Sequence, residues 1–127
     1  ERRKHLTRMF RVSEEYIERI GTDVDVGIVL GGATEEERAV GFSKQLIFST
    51  TQYAAEGLDI PRLNTLVLGS PCSAHRIEQC VGRIMRSSES QPIVIDLHDP
   101  FSVFDGMGWG RFHLYRQKSF DITVLYS

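Results

Sequence analysis

The sequence predicts an α/β fold, parallel strands alternating with helices, and three observations carry that prediction. Short apolar runs alternate with amphipathic stretches along the chain. Several runs are almost continuously apolar, as strands covered on both faces are. The runs are also separated by segments long enough for helical crossovers. The expected architecture is a parallel sheet with helices on both faces, in one domain over 1–127: a core over 1–99 and an extension of loop, helix and strand over 100–127.

Taken in order, Leu6, Met9, Phe10, Tyr16, Ile17 and Ile20 fall on one side of a helix, and Gly21 suits its end. The β-branched run "VDVGIVL" (24–30) predicts a strand, Gly31-Gly32 a tight turn, and Thr34 to Glu37 a capping box that opens a second helix. "QLIFST" (45–50), "NTLVLGS" (64–70) and "PIVIDL" (92–97) predict further strands, with a short helix near 52–56 and a stronger one over 74–86. After Asp99-Pro100 the pattern predicts a loop over "FSVFDGMGWG", a helix over "RFHLYRQK" and a last strand over "FDITVLY". A βαβ domain normally begins with a strand, so the chain reads as a fragment whose first strand is cut off or left out.

With 41% hydrophobic and 25% charged residues, the composition is that of a globular protein, and no apolar stretch is long enough for a membrane span. The charged start "ERRKHLTRMF" lacks the apolar core of a secretory signal, so the chain reads as intracellular or as a fragment cut from something larger. The net charge of −2 provides no global field for nucleic acid, so any such contact must be local. Cys72 and Cys80 are too few for a metal cluster or a disulfide framework and read as reduced packing residues.

The chemistry concentrates in two stretches. In "EQCVGRIMR" (78–86), advancing ~100° per residue gathers Ile77, Cys80, Val81, Ile84 and Met85 on one side and Gln79, Gly82, Arg83 and Arg86 on the other. A mid-helix glycine costs ~1 kcal/mol against alanine, so Gly82 suggests close approach of something to this face. Two arginines one turn apart suit phosphate oxygens, although a solvated polar face accounts for the same residues. In "FSTTQYAAEGLDIPRLNTLVL" (48–68), a strand ends in Ser49, Thr50 and Thr51, where α/β domains place ligand sites. Asp59 there reads either as a ribose acceptor or as a turn-forming residue before Ile-Pro.

Together and in this order, "TTQYAAEGLDIPRLNTLVL" and "EQCVGRIMR" resemble motifs V and VI of superfamily 2 helicases, in their second RecA-like domain. The resemblance covers most of the chain: "ERRKHLTRMF" is similar to the helix after that domain's first strand, and "GIVLGGATEEERAV" to the next strand and helix. The tail "IVIDLHDPFSVF" with "RFHLYRQKSFDI" is similar to the ends of phage-like and large-DNA-virus members, which implies a viral source.

The resemblance implies that Arg83 and Arg86 are arginine fingers and that Gln79 positions the attacking water or contacts the γ-phosphate. It places Gly57 and Asp59 near the nucleotide sugar, Thr50 or Thr51 on the nucleic-acid backbone, and Gly31-Gly32 near the bound strand. It implies ATP and Mg2+ as cofactors, held mainly by a first RecA-like domain on the same polypeptide, and DNA or RNA as partner. Glu56 stands where RNA-directed DEAD-box relatives carry arginine before glycine-leucine-aspartate, which points to a DNA-directed or DEAH-like branch. No G-x-x-x-x-G-K-[ST] loop and no D-E-x-[DH] occurs in these residues, so the chain is expected not to hydrolyse ATP alone. A non-catalytic RecA-like module that binds nucleic acid or another protein is the competing expectation.

Other candidates are weaker. Gly31-Gly32 lacks the G-x-G-x-x-G of a dinucleotide loop. Asp96, His98 and Asp99 at a strand end suit either a metal or simple solvation, and no metal site is assigned. Arg111, Arg116 and Lys118 with Phe112, Tyr115 and Phe120 suit either a nucleic-acid platform or an amphipathic helix that lays its aromatics on the sheet.

Overall fold

The computed structural model describes residues 2–126, with the side chains of residues 2, 55–57 and 87 outside the description. The chain divides into two compact units, residues 1–63 and 64–127, each built on a parallel strand pair. The α/β class and the parallel pairing are therefore as the sequence predicts. No helix among the described residues is long and apolar enough to cross a membrane.

In the first unit the order is α1 (Arg2–Ile20), β1 (Val26–Val29), α2 (Glu35–Phe42), β2 (Leu46–Ser49) and α3 (Thr51–Gly57). β1 and β2 pair from Val26 with Leu46 to Val29 with Ser49. Helix α1 lies against both strands, Phe10 meeting the Phe48 ring edge-on at 6.1 Å, and ends at Gly21 with φ +70°. Tyr16 and Ile20, expected on its buried side, stay about half exposed. The Thr34–Glu37 capping box forms as read: the Thr34 hydroxyl accepts from the Glu37 N–H at 3.2 Å, and the Thr34 N–H donates to the Glu37 carboxylate at 2.9 Å. Helix α2 comes so near β1 that a Cβ on Gly41 would sit 2.5 Å from the Val29 side chain, so only glycine fits there. Val29, Phe42 and Leu58 are buried in this unit.

In the second unit the order is β3 (Thr65–Leu68), α4 (Ala74–Ser87), β4 (Ile93–Asp96) and α5 (Val103–Gln117). β3 and β4 pair from Thr65 with Ile93 to Leu68 with Asp96. Leu68, Ile77, Val81, Leu114 and Tyr115 form the core, with Leu66, Val94, Phe120 and Ile122 packed around them. The strand residues between these, Val67, Ile93 and Ile95, remain about half exposed.

The chain after Pro100 departs from expectation twice. Helix α5 begins at Val103 and takes in most of the stretch read as a loop. Glycine disfavours helix locally, but tertiary packing outweighs ~1 kcal/mol per glycine; Gly108 leaves room for the His98 ring, which a Cβ would strike. The predicted last strand is absent over 120–126, and Ser127 lies outside the described residues. Its alternation reflects Phe120 and Ile122 reaching the core, while Leu125 and Tyr126 are almost fully exposed. A strand needs a neighbour for its backbone groups, and no described segment provides one.

Candidate functional site

Helix α4 starts at Ser73, whose hydroxyl accepts from the Arg76 N–H at 3.4 Å. Ile77, Val81 and Ile84 are buried to 2%, 0% and 0% exposure, and this anchors one side of the helix. The other side presents Gln79 and Arg86 as exposed residues and Arg83 and Gly82 as half-buried ones. A Cβ on Gly82 would meet nothing described within 4 Å, so no packing among the described residues requires the glycine. Among the described residues Arg86 forms no ion pair. The face carries amide and guanidinium donors and no carboxylate, a donor set that fits a polyphosphate and not a metal ion.

The other predicted residues belong to the first unit. Gly31-Gly32 follows β1 and Thr50-Thr51 follows β2, so parallel pairing brings both to the carboxyl edge of the same strand pair. The Thr50 N–H donates to the Val29 carbonyl at 3.3 Å, and Gln52 Oε1 lies 3.3 Å from where a Cβ on Gly31 would stand. Gly32 needs its φ of +86°. The Thr50 hydroxyl is buried without a hydrogen-bond partner among the described residues, whereas Thr51 is exposed. Asp59 is exposed beyond the end of α3; Gly57 is the last residue of α3, and its surroundings lie outside the described residues.

Two features at this edge escaped the sequence. Arg38 of α2 lies over the Tyr53 ring at 5.6 Å and donates to the Ala33 carbonyl at 3.0 Å, which ties the glycine turn to α3. Beside the turn lies an open groove of about 560 Å³, lined by Arg3, Lys4, Thr7, Arg8, Arg11, Val12 and Glu15 of α1 and by Leu30 at the end of β1. Because α1 runs back over the strands, its first half flanks their carboxyl ends, and none of these cations forms an ion pair with a described residue. The apolar periodicity of α1 drew attention to its inner side; the signal for the groove is the recurrence of Arg and Lys at 4, 8 and 11.

The second unit also holds an ion network that sequence reading left scattered. Arg111, 1% exposed, donates from Nε and Nη2 to the two Asp96 carboxylate oxygens, each at 2.8 Å, and from Nη1 to the Cys72 carbonyl at 2.5 Å. The Tyr115 hydroxyl donates to Asp96 at 2.7 Å. Burial opposes ionisation of Asp96, but the hydrogen bonds from Arg111 and Tyr115 outweigh it and hold the carboxyl below the usual carboxylate range. Burial, then the bond to Asp96, pushes the Tyr115 hydroxyl well above the ordinary phenol range. Burial and the neighbouring Cys72 raise the Cys80 thiol, with Arg83 opposing.

These contacts occupy several of the weaker candidates. Asp96 is taken by Arg111 and Tyr115, His98 Nε2 meets Asp105 at 2.7 Å, and Asp99 accepts the Phe101 N–H at 3.0 Å. Among the described residues no cluster of three or more His, Cys, Asp or Glu is arranged to hold a metal ion. Arg111 and Tyr115 sit in the core, Lys118 pairs with Glu78 at 3.5 Å, and Arg116 lies over Phe112 at 6.0 Å. Arg111, Tyr115 and Phe120 thus belong to the core or pack against it, as the amphipathic-helix reading expects.

The chain has viral relatives. It is 35% identical over 108 residues to "Putative ATP-dependent RNA helicase L396" of Acanthamoeba polyphaga mimivirus, a match covering 83% of this chain and 20% of that protein. It is 36% identical over 95 residues to "Transcript termination protein A18" of Myxoma virus, covering 69% of this chain and 19% of the relative, and the Rabbit fibroma virus protein of that name is 35% identical over the same length. The chain thus spans about a fifth of the length of the curated relatives it matches. No family model matches it, and no solved structure matches it.

Proposed function

We propose, starting from this kinship with helicase-type viral proteins, that the chain is the second RecA-like domain of an ATP-dependent superfamily 2 helicase or translocase. The observation that carries the reading is the donor face of α4: Gln79, Arg83 and Arg86 aligned around an uncovered Gly82. In this reading Arg83 and Arg86 neutralise charge that develops on the transferring phosphoryl group, and Gln79 orients the attacking water. ATP bound to the first domain provides the phosphoanhydride bond that is cleaved. With no carboxylate on the α4 face, Mg2+ belongs to that first domain as well. Gly57 and Asp59 would lie beside the nucleotide sugar. The purified chain alone is expected to show no Mg2+-dependent ATP hydrolysis above a buffer blank, and robust turnover by it would refute the reading.

The carboxyl edge of the first unit is the proposed nucleic-acid contact, with Gly31, Gly32 and Thr50 or Thr51 touching the backbone. The first turn of α2 is acidic, with Glu35, Glu36 and Glu37, so the attraction for phosphates comes from the α1 groove. Replacing Arg8 and Arg11 by alanine should reduce the salt slope of binding by about 0.7–0.9 for each phosphate that is no longer neutralised. An unchanged slope in a titration across ionic strength would remove the groove from the interface. Glu56 points to DNA, whereas the mimivirus relative is named for RNA; the same titration with matched DNA and RNA strands separates the two.

A further inference from the structure

We propose that Arg111 is a positioning residue for α4: through the Cys72 carbonyl it sets where the helix carrying Gln79, Arg83 and Arg86 begins, and thereby where those side chains point. This role rests on α4 being the helix that faces the phosphoryl group.

A fully buried arginine is a costly way to fill a core, and an apolar side chain of similar volume often stabilises a protein as well or better. What arginine adds is direction. Its planar fork spans both oxygens of Asp96 and the carbonyl of Cys72, so the end of β4 is tied to the residue just before the α4 N-cap, Ser73. Tyr115, one turn further along α5, donates to the same Asp96 Oδ2 that accepts from Arg111 Nε. Helix α5 meets α4 again at Gly110, where an added Cβ would stand 3.9 Å from Ala74 Cβ, and at Lys118, which is 3.5 Å from Glu78. These contacts fall on the entry and first turns of α4, while Arg83 and Arg86 lie in its last turns. At 1.5 Å rise per residue, Arg86 stands about 20 Å from the entry, so a tilt of roughly 3° there moves it by about 1 Å. A displacement of that size is enough to cost about a hundredfold in rate.

The test is R111K in the full-length protein. Lysine keeps the charge and can pair with Asp96, but it cannot span Asp96 and the Cys72 carbonyl together. The expected result is a tenfold to hundredfold fall in kcat for nucleic-acid-stimulated ATP hydrolysis, about 10² at most, with KM for ATP and nucleic-acid affinity within about twofold of wild type. Combined with R83A, R111K should lower kcat by less than it does alone, because one of the three side chains it positions is gone. A normal kcat in folded R111K, or full additivity with R83A, would overturn the proposal and leave Arg111 as a fold staple. If R111K does not fold, Y115F is read in its place: it removes only the hydroxyl that orients Asp96, and a kcat equal to wild type would overturn the proposal equally. R83A alone separates the two ideas. Normal turnover in R83A defeats the α4 reading itself, whereas a defective R83A beside a normal R111K defeats only the positioning role.

Discussion

Alanine at Arg83 or Arg86 in the full-length protein is expected to lower nucleic-acid-stimulated ATP turnover by ~10³–10⁵, roughly 4–7 kcal/mol of transition-state stabilisation. Fold stability should barely change, since Arg86 is exposed and Arg83 is only half-buried on a helix anchored by Ile77, Val81 and Ile84. Lysine at either position should recover little of the rate, because a point charge does not reproduce the planar fork on phosphate oxygens. Steady-state kinetics should show the loss in kcat, with KM for ATP little affected. Turnover equal to wild type in either alanine variant would end the assignment of α4 as a finger helix.

The largest stability effect is expected at Asp96. Asp96→Ala leaves Arg111 buried and unpaired, at a cost of about 3–5 kcal/mol, whereas replacing both partners by well-packed apolar residues should be nearly neutral or stabilising. Urea denaturation followed through Trp109, which belongs to the same unit, would measure this. The pH dependence has a definite sign. The Asp96 carboxyl titrates lower in the folded protein than in the unfolded chain, so its contribution is present above the unfolded value of about 3.9 and is lost as pH falls through the folded value. Tyr115 behaves oppositely: its folded value is raised, so its contribution is full below about pH 10 and fades as pH rises beyond that. Asp96→Asn should flatten the acid limb of the stability profile and Tyr115→Phe the alkaline limb. An acid limb that persists in Asp96→Asn would assign it to other carboxylates.

Local chemistry made much of the site legible. The polar side of α4 follows from the 3.6-residue period alone, and the capping box at Thr34 and Glu37 involves only neighbours three residues apart. The parallel pairing that brings Gly31 and Thr50 to one edge follows from strands joined by helices. The groove on α1 was less legible because its cations share a helix with glutamates, and only the position of Leu30 at the end of β1 shows which side is concave.

The sequence by itself determined the α/β class, the order and type of the elements through β4, and the residue set displayed by α4. Those depend on periodicity and caps, which act over a turn or two of chain. Only the tertiary structure decided that α5 runs through its glycines, that the last apolar alternation forms no strand, and that Arg111 is a core residue. Arg111 meets Asp96 across 15 residues and Cys72 across 39. No local pattern encodes such a meeting, because the burial of a charge depends on a partner that folding alone brings within reach.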